Sequence, residues 1–330
     1  MTFDLITLGR VSMDLFSQNI GAPFEEIETF ETSVGGSPCN IAIGSSRLGL
    51  NVAAITAVGE DKTGDFVLHY LQNEGVNTDY IPRKVGTRTG MAVVGVQPPA
   101  TFPLVFYRDN PADIHLTIED IDTAPIAESR AVMLSGTALS RGTARDTTLF
   151  MAQEAQNTVF MDLDLRPDQW SHPKAYGLNV RAVFPNIKVL IGTEEEFFAA
   201  LSPNPEPIMQ GNAVNVTQRQ ALQAHLQALI TTYPKMTLVV RRGADGVSIW
   251  RHNEDRLDVA GFPVEVLNTV GAGDSFASGL VYGRLQGWNW HKSARLANAC
   301  GALVVTRNGC AKALPYHDEI MDFIESKGGF

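Results

Sequence analysis

Apolar residues fall along this chain in two alternating rhythms. Short, nearly continuous apolar runs occur at "DLITLG" (4–9), "NVAAITAVG" (51–59), "RAVMLSG" (130–136), "TVFMDLD" (158–164), "IKVLIG" (187–192) and "MTLVVRRG" (236–243). Runs this short and this apolar predict strands covered on both faces. Between them the spacing turns helical. "SPCNIAIGSSRLG" ends in a glycine stop, and "TGDFVLHYLQNEGV" puts Phe66, Val67, Tyr70 and Leu71 on one face. "TQRQALQAHLQALI" aligns Leu222, Leu226, Leu229 and Ile230 in a stripe. Strand–helix alternation along the whole length predicts one α/β unit over 1–330, a doubly wound, mostly parallel sheet flanked by helices.

Two stretches break the rhythm. Residues 12–36 ("SMDLFSQNIGAPFEEIETFETSVGG") and 88–112, beginning "RTGMAVVGVQPPATFPLVFYRD", read as short strands and turns. A small β lid made of two insertions accounts for them, and so does a pair of ordinary surface hairpins. "SPNPEP" (202–207) predicts a surface loop.

Composition narrows the classes. Hydrophobic residues make up 44% and charged residues 19% of 330 positions, which is globular and not disordered. No apolar run reaches the roughly 20 residues of a membrane span, and the start "MTFDLITLGR" lacks a basic segment before an apolar one. Three cysteines without a CxxC spacing predict free thiols in a reducing cytoplasm. Seven scattered histidines offer no zinc spacing. A net charge of −10 disfavours nucleic acid as a partner. Any anionic ligand must therefore be held by local charge, from helix N-termini, a few arginines or a metal ion.

The stretch "NTVGAGDSFASG" (268–279) is such a place. Glycines at a strand-to-helix junction let the backbone approach an anion, with first-turn N–H groups pointing at it. Asp274 would repel a phosphate there, unless it faces a neutral hydroxyl beside the phosphate and takes its proton. An aspartate capping a tight turn is the plain alternative. The P-loop pattern is absent, and Gly271-Ala-Gly273 is followed by Asp-Ser-Phe276, so the dinucleotide pattern fails as well.

Two arginines bear on the charge of the ligand. Arg108 lies among aromatics in "FYRDNPAD"; Arg166 lies beyond a strand end in "MDLDLRPDQW". A neutral sugar needs no guanidinium, whereas a carboxylate is well served by one or two. Ion pairs with neighbouring aspartates are the alternative for each. By alternating spacing Asp162 and Asp164 share a face, where they would orient Arg166 and not ligate a metal.

"VGGSPCNIAIGSSRLGLNVAAITAVG" resembles the N-terminal signature of the ribokinase-like (PfkB-type) carbohydrate kinases, and "NTVGAGDSFASGLV" their C-terminal signature. "RRGADG" (241–246) and "VVTRNGCAKALP" (304–315) are also similar to family segments, so the resemblance covers nearly the whole chain. It implies a sheet between helix layers, with a β lid that often pairs subunits, and hence a homodimer. It implies ATP and Mg²⁺. Gly271, Ala272 and Gly273 would form the anion hole for the γ-phosphoryl group, and Asp274 the base. Asp14, Gly35, Gly36 and Asn40 would hold sugar hydroxyls. Glu196 matches the acidic end of an NxxE motif that organises water and Mg²⁺, with Thr193 in place of its asparagine. Gly243 and Gly246 would line the phosphate and ribose, and Asn298 the adenine, unless Asn298 is simply a polar helix residue. Asn268 replaces a common aspartate, which leaves open whether Asn268, Val270 and the loop at 306–309 hold K⁺.

Within the family, "GRVSMDL", "YRDNPAD", "DLDLRP" and "IGTEEEF" resemble the branch that phosphorylates acidic keto sugars. The implied acceptor is 5-dehydro-2-deoxygluconate, then 2-keto-3-deoxygluconate, then fructose or ribose. A non-catalytic sugar or nucleotide sensor would not need Asp274, and a nicotinamide oxidoreductase would need the missing dinucleotide pattern.

Overall fold

The computed structural model describes residues 2–98 and 102–330. The six apolar runs become neighbouring parallel strands, in the order Val52–Ile55, Leu5–Leu8, Ala131–Ser135, Thr158–Asp162, Val189–Thr193 and Thr237–Arg241. Two antiparallel strands, Val247–Trp250 and Leu257–Val259, extend the sheet past the last of these.

Successive side chains of a strand point to opposite faces, so each run feeds two cores. Ile6, Val132, Leu134, Met161, Leu190 and Leu238 enter one cluster; Leu5, Ala131, Met133, Phe160, Ile191 and Val239 enter the other. The first is covered by helices that include Pro173–Val183 and Val216–Thr232, the second by Ser37–Arg47, Lys62–Asn73 and Ala272–Leu285. Helix Val216–Thr232 starts at a reciprocal cap between Asn215 and Gln218 and buries the expected stripe Leu222, Leu226, Leu229 and Ile230. These features bear out the doubly wound reading.

Local differences have local causes. "NVAAITAVG" divides into Val52–Ile55 and Val58–Gly59, because the second piece leaves the sheet to pair with Arg83–Lys84. In "SPNPEP", a short helix, Glu206–Met209, begins inside the expected loop.

The two aberrant stretches pair with each other. Phe30–Gly35, Ser12–Ser17, Gly90–Val94 and Leu104–Tyr107 form one four-stranded sheet, with a parallel pairing between Ser12–Ser17 and Gly90–Val94. That long-range pairing rules out two separate hairpins; within 88–112, positions 99–101 lie outside the described residues. The chain passes from Leu5–Leu8 almost directly into Ser12–Ser17, so the small sheet hangs from the carboxyl end of the large one. No helix among the described residues is long and apolar enough to cross a membrane. Cys39, Cys300 and Cys310 are free and buried.

Candidate active site

The expected site residues gather where the parallel strands end, the usual place for ligands in an open α/β sheet. Helix Ala272–Leu285 starts from Gly271, whose φ of 86° is left-handed, and no side chain caps it. The Ala272 amide bonds the Thr269 carbonyl at 3.3 Å and Ser275 bonds Gly271 at 2.9 Å. Among the described residues the amides of Gly271, Gly273 and Asp274 have no acceptor, so of the three expected members of the anion hole only Ala272 has its amide engaged.

Asn40, on helix Ser37–Arg47, donates from Nδ2 to Asp274 Oδ2 at 2.7 Å. Burial and the charge of Asp164 raise the Asp274 pKa above the ordinary carboxylate value, against the pull of Asn40. Asp274 therefore stands at a phosphate-ready turn without capping it. The plain alternative of an N-cap aspartate does not hold.

The expected sugar side forms around Asp14. Its strand faces Phe30–Gly35, and its carboxylate accepts from Ser12 Oγ at 2.6 Å. A Cβ on Gly35 would lie 1.9 Å from Asp14 Oδ2, so glycine is what allows the carboxylate to fold over the strand. Gly36, at φ 99°, is also tightly placed: a Cβ there would lie 2.4 Å from the Arg10 carbonyl. Burial raises the Asp14 pKa.

Both arginines form the ion pairs with nearby aspartates that were the stated alternative. Arg108 is buried and engaged: Nη1 donates to the Val11 carbonyl at 3.0 Å, and Nη2 to Asp113 at 2.9 and 3.0 Å. Asp113 also accepts from the Val11 amide at 2.9 Å, so the pair braces the root of the small sheet. Arg108 is thus a structural brace and not a free ligand for a carboxylate. Arg166 pairs with Asp164 at 3.1 Å and keeps a side-chain exposure of 38%, open on one side.

Asp162 does not orient Arg166. It accepts both terminal nitrogens of Arg241, at 3.1 and 3.0 Å. The strand ends at Asp162, and Asp164 takes φ 35°, so the alternating register no longer applies. The hydroxyls of Ser135 and Thr137, both 2.9 Å from Asp164 Oδ2, hold it there. Burial opposes its charge, yet Arg166 and Arg10 outweigh that and keep its pKa low. Asp162 is pushed up to about 7, chiefly by burial.

On the expected nucleotide side, Thr193 caps helix Glu194–Leu201 in a reciprocal pair with Glu196. A threonine can do what an asparagine would do at that cap, which accounts for the departure from NxxE. Glu196 accepts from the amides of Leu165 and Thr193 at 3.1 and 2.7 Å and from Arg241 at 3.0 Å. No group of three acidic, cysteine or histidine residues suited to a metal occurs among the described residues. Glu196 is held by two backbone amides and Arg241 at the strand end.

Thr193, Arg241, Arg242, Gly243 and Trp250 border a cavity of about 550 Å³. Gly246 is not on it: its α-carbon abuts the Val259 carbonyl at the turn into Val247–Trp250. Asn298 uses its Nδ2 hydrogens on the carbonyls of Val259 and Ala260, at 3.2 and 2.9 Å. It fixes that loop and leaves only its Oδ1 for a ligand. Asn268 is fully buried; it accepts from the Val270 amide at 2.9 Å and donates to the Gly309 carbonyl at 3.3 Å. An Asn268 N–H thus engages the Gly309 carbonyl in the loop that the open K⁺ question concerned.

The sequence reading passed over Arg241. A Cβ on Gly273 would lie 2.4 Å from its Nη1, so this guanidinium forms one wall of the anion hole. A pair of arginines at a strand end, before a glycine turn, was the available signal.

Residues 3–316 match the family described as pfkB family carbohydrate kinase. The chain is 33% identical over 326 residues to 5-dehydro-2-deoxygluconokinase of Geobacillus thermodenitrificans, covering 98% of this chain and 93% of that protein. It is 34% identical over 328 residues to 5-dehydro-2-deoxygluconokinase 1 of Bacillus cereus, covering 98% and 95%. An ATP-bound fructokinase structure from Xylella fastidiosa superimposes with a TM-score of 0.82 at 23% identity, covering 98% and 99% of the two chains. A sugar kinase from Pyrococcus horikoshii in complex with ATP gives 0.78 at 25%, with 98% and 99% covered. The glycine-flanked carboxylate of Asp274, the strand-end site and the full-length similarity agree: this chain belongs to the pfkB family of carbohydrate kinases.

Proposed function

We propose that the protein transfers the γ-phosphoryl group of ATP to the terminal hydroxyl of 5-dehydro-2-deoxygluconate, a step of myo-inositol catabolism. The observation that carries the chemistry is the 2.7 Å bond from Asn40 to Asp274, which ties the sugar half of the site to the phosphate half. The names of the relatives, matched over 98% of the chain, support the acceptor.

The acceptor hydroxyl lies between Asp14 and Asp274. As its oxygen bonds to the γ-phosphorus, its proton passes to Asp274 and the bond to the ADP oxygen breaks. Asn40 holds the carboxylate in line. The amides of Gly273 and Asp274, with Arg241 beside them, take up charge on the transferring group. Mg²⁺ arrives with ATP as part of the substrate and neutralises phosphate charge; Glu196 orders the water around it.

The small sheet serves as a lid whose closure excludes water from the reacting phosphate. Its edge strand exposes Leu104, Val105 and Tyr107, which supports a homodimer through the lid. Three buried free thiols support a reducing compartment.

The test is ADP release with 5-dehydro-2-deoxygluconate, 2-keto-3-deoxygluconate, fructose and ribose. The highest kcat/KM is expected for the first. Preference for the 2-keto acid would move the acceptor, and comparable values for fructose and the acids would overturn the acidic-sugar reading.

A further inference from the structure

Arg10 follows the first strand directly, at the root of the small sheet. It is 8% exposed, and its Nε and Nη1 are buried without any hydrogen-bond partner. Its guanidinium lies over the Phe106 ring, 5.3 Å from the centroid, a contact that orients the group without neutralising it.

The charged groups facing it are Asp14, Asp164, Arg108 and Arg166. Each is already committed. Asp14 takes the Ser12 hydroxyl; Asp164 takes Ser135, Thr137 and Arg166; Arg108 grips Asp113. Of these three arginines, Arg10 is the one without an ion pair among the described residues. Buried N–H groups without an acceptor cost stability even with Asp14 and Asp164 nearby, and a ligand that supplies an acceptor removes that part of the penalty.

The place borders the expected sugar side. Arg10 lines a narrow cleft with Arg108, Thr137 and Gln169, and its carbonyl packs on Gly36 beside Asp14. Asp14 in turn senses both Arg10 and Asp274. An acid whose hydroxyls engage Asp14 and whose terminal hydroxyl meets Asp274 would have its other end near Arg10.

We propose that Arg10 is the specificity residue that receives the carboxylate of the acceptor on its free N–H groups, the role Arg108 cannot fill. The inference rests on the acidic-acceptor reading above.

The test compares wild type, Arg10→Gln and Arg10→Lys on 5-dehydro-2-deoxygluconate and its primary amide, with thermal shifts by the acid alone. Arg10→Gln should raise KM for the acid on the order of 10²-fold and leave the amide unchanged. Arg10→Lys should fall between. The acid should stabilise wild type but not Arg10→Gln. Equal losses on acid and amide, or an Arg10→Gln enzyme that prefers the acid as wild type does, would overturn the role of Arg10 and leave the acceptor standing. Wild type stabilised by the acid through Arg10 yet unable to phosphorylate it would instead overturn the acceptor and leave Arg10 in place.

Discussion

Asn40 and Asp274, far apart in the sequence, meet through a 2.7 Å hydrogen bond from Nδ2 to Oδ2. The contact joins the opening helix of the chain to the glycine turn near its end. It fixes the carboxylate while leaving the turn's amides free, which is the arrangement a base beside a phosphate requires.

Asp274→Asn keeps the shape of the turn but cannot accept a proton. Turnover should fall by about 10²- to 10⁴-fold, while ATP affinity, measured by calorimetry, stays close to wild type. Near-normal kcat in this variant would remove Asp274 from the mechanism.

The pH profile follows from the same residue. The base works only when deprotonated, so kcat/KM should be high at neutral pH and fall as pH drops through the Asp274 pKa. Burial and Asp164 hold that pKa above the ordinary carboxylate value, and the Asn40 hydrogen bond lowers it. Asn40→Ala removes a donor that favours the charged form, so the acid limb should move to higher pH as well as lower the rate. An acid limb unmoved by Asn40→Ala would show that another group sets it.

Gly35 tests the sugar side alone. An added methyl would fall 1.9 Å from Asp14 Oδ2, and the carboxylate would have to swing away. Gly35→Ala should raise KM for the acceptor steeply with little change in KM for ATP. Equal effects on both would mean that the small sheet, not Asp14, is what the methyl disturbs.

How far the sequence carries depends on the range of the interaction. The strands were legible because apolar runs report burial on both faces, and the stripe Leu222, Leu226, Leu229 and Ile230 because its period is local. Asp274 was legible from its glycines. The pairs Arg108–Asp113 and Arg166–Asp164 lay within reach of the neighbouring aspartates, whereas the partners of Arg241 were not legible, since they lie on other elements of the fold. Arg108 reached Asp113 and Val11, and Asp162 reached Arg241 from another strand. Alternation failed at Asp164 because the strand had ended two residues earlier.

Arg241 binds Asp162 and Glu196 together and borders Gly273. Arg241→Met leaves two buried carboxylates without their cation, which should cost about 3–5 kcal/mol in chemical denaturation. Adding Asp162→Asn should recover part of that stability. It should not restore kcat, because the wall of the anion hole stays missing. Full recovery of activity in the double variant would make Arg241 purely structural.

We propose that Asn268 makes activity independent of monovalent cations. A K⁺ site needs several oxygens turned inward, and here the Asn268 Nδ2 hydrogen occupies the Gly309 carbonyl while its Oδ1 holds the Val270 amide. The turn before the glycine hole is thus closed by an amide bridge in place of an ion. Activity should be the same in K⁺, Na⁺ and a bulky organic cation at equal ionic strength. Asn268→Asp replaces that N–H with a second acceptor facing the Gly309 carbonyl, which is repulsive unless a cation enters. The variant should therefore be weak in the organic cation and recover in K⁺. If wild type itself needs K⁺, the bridge opens when substrate binds and does not serve as the cation's substitute.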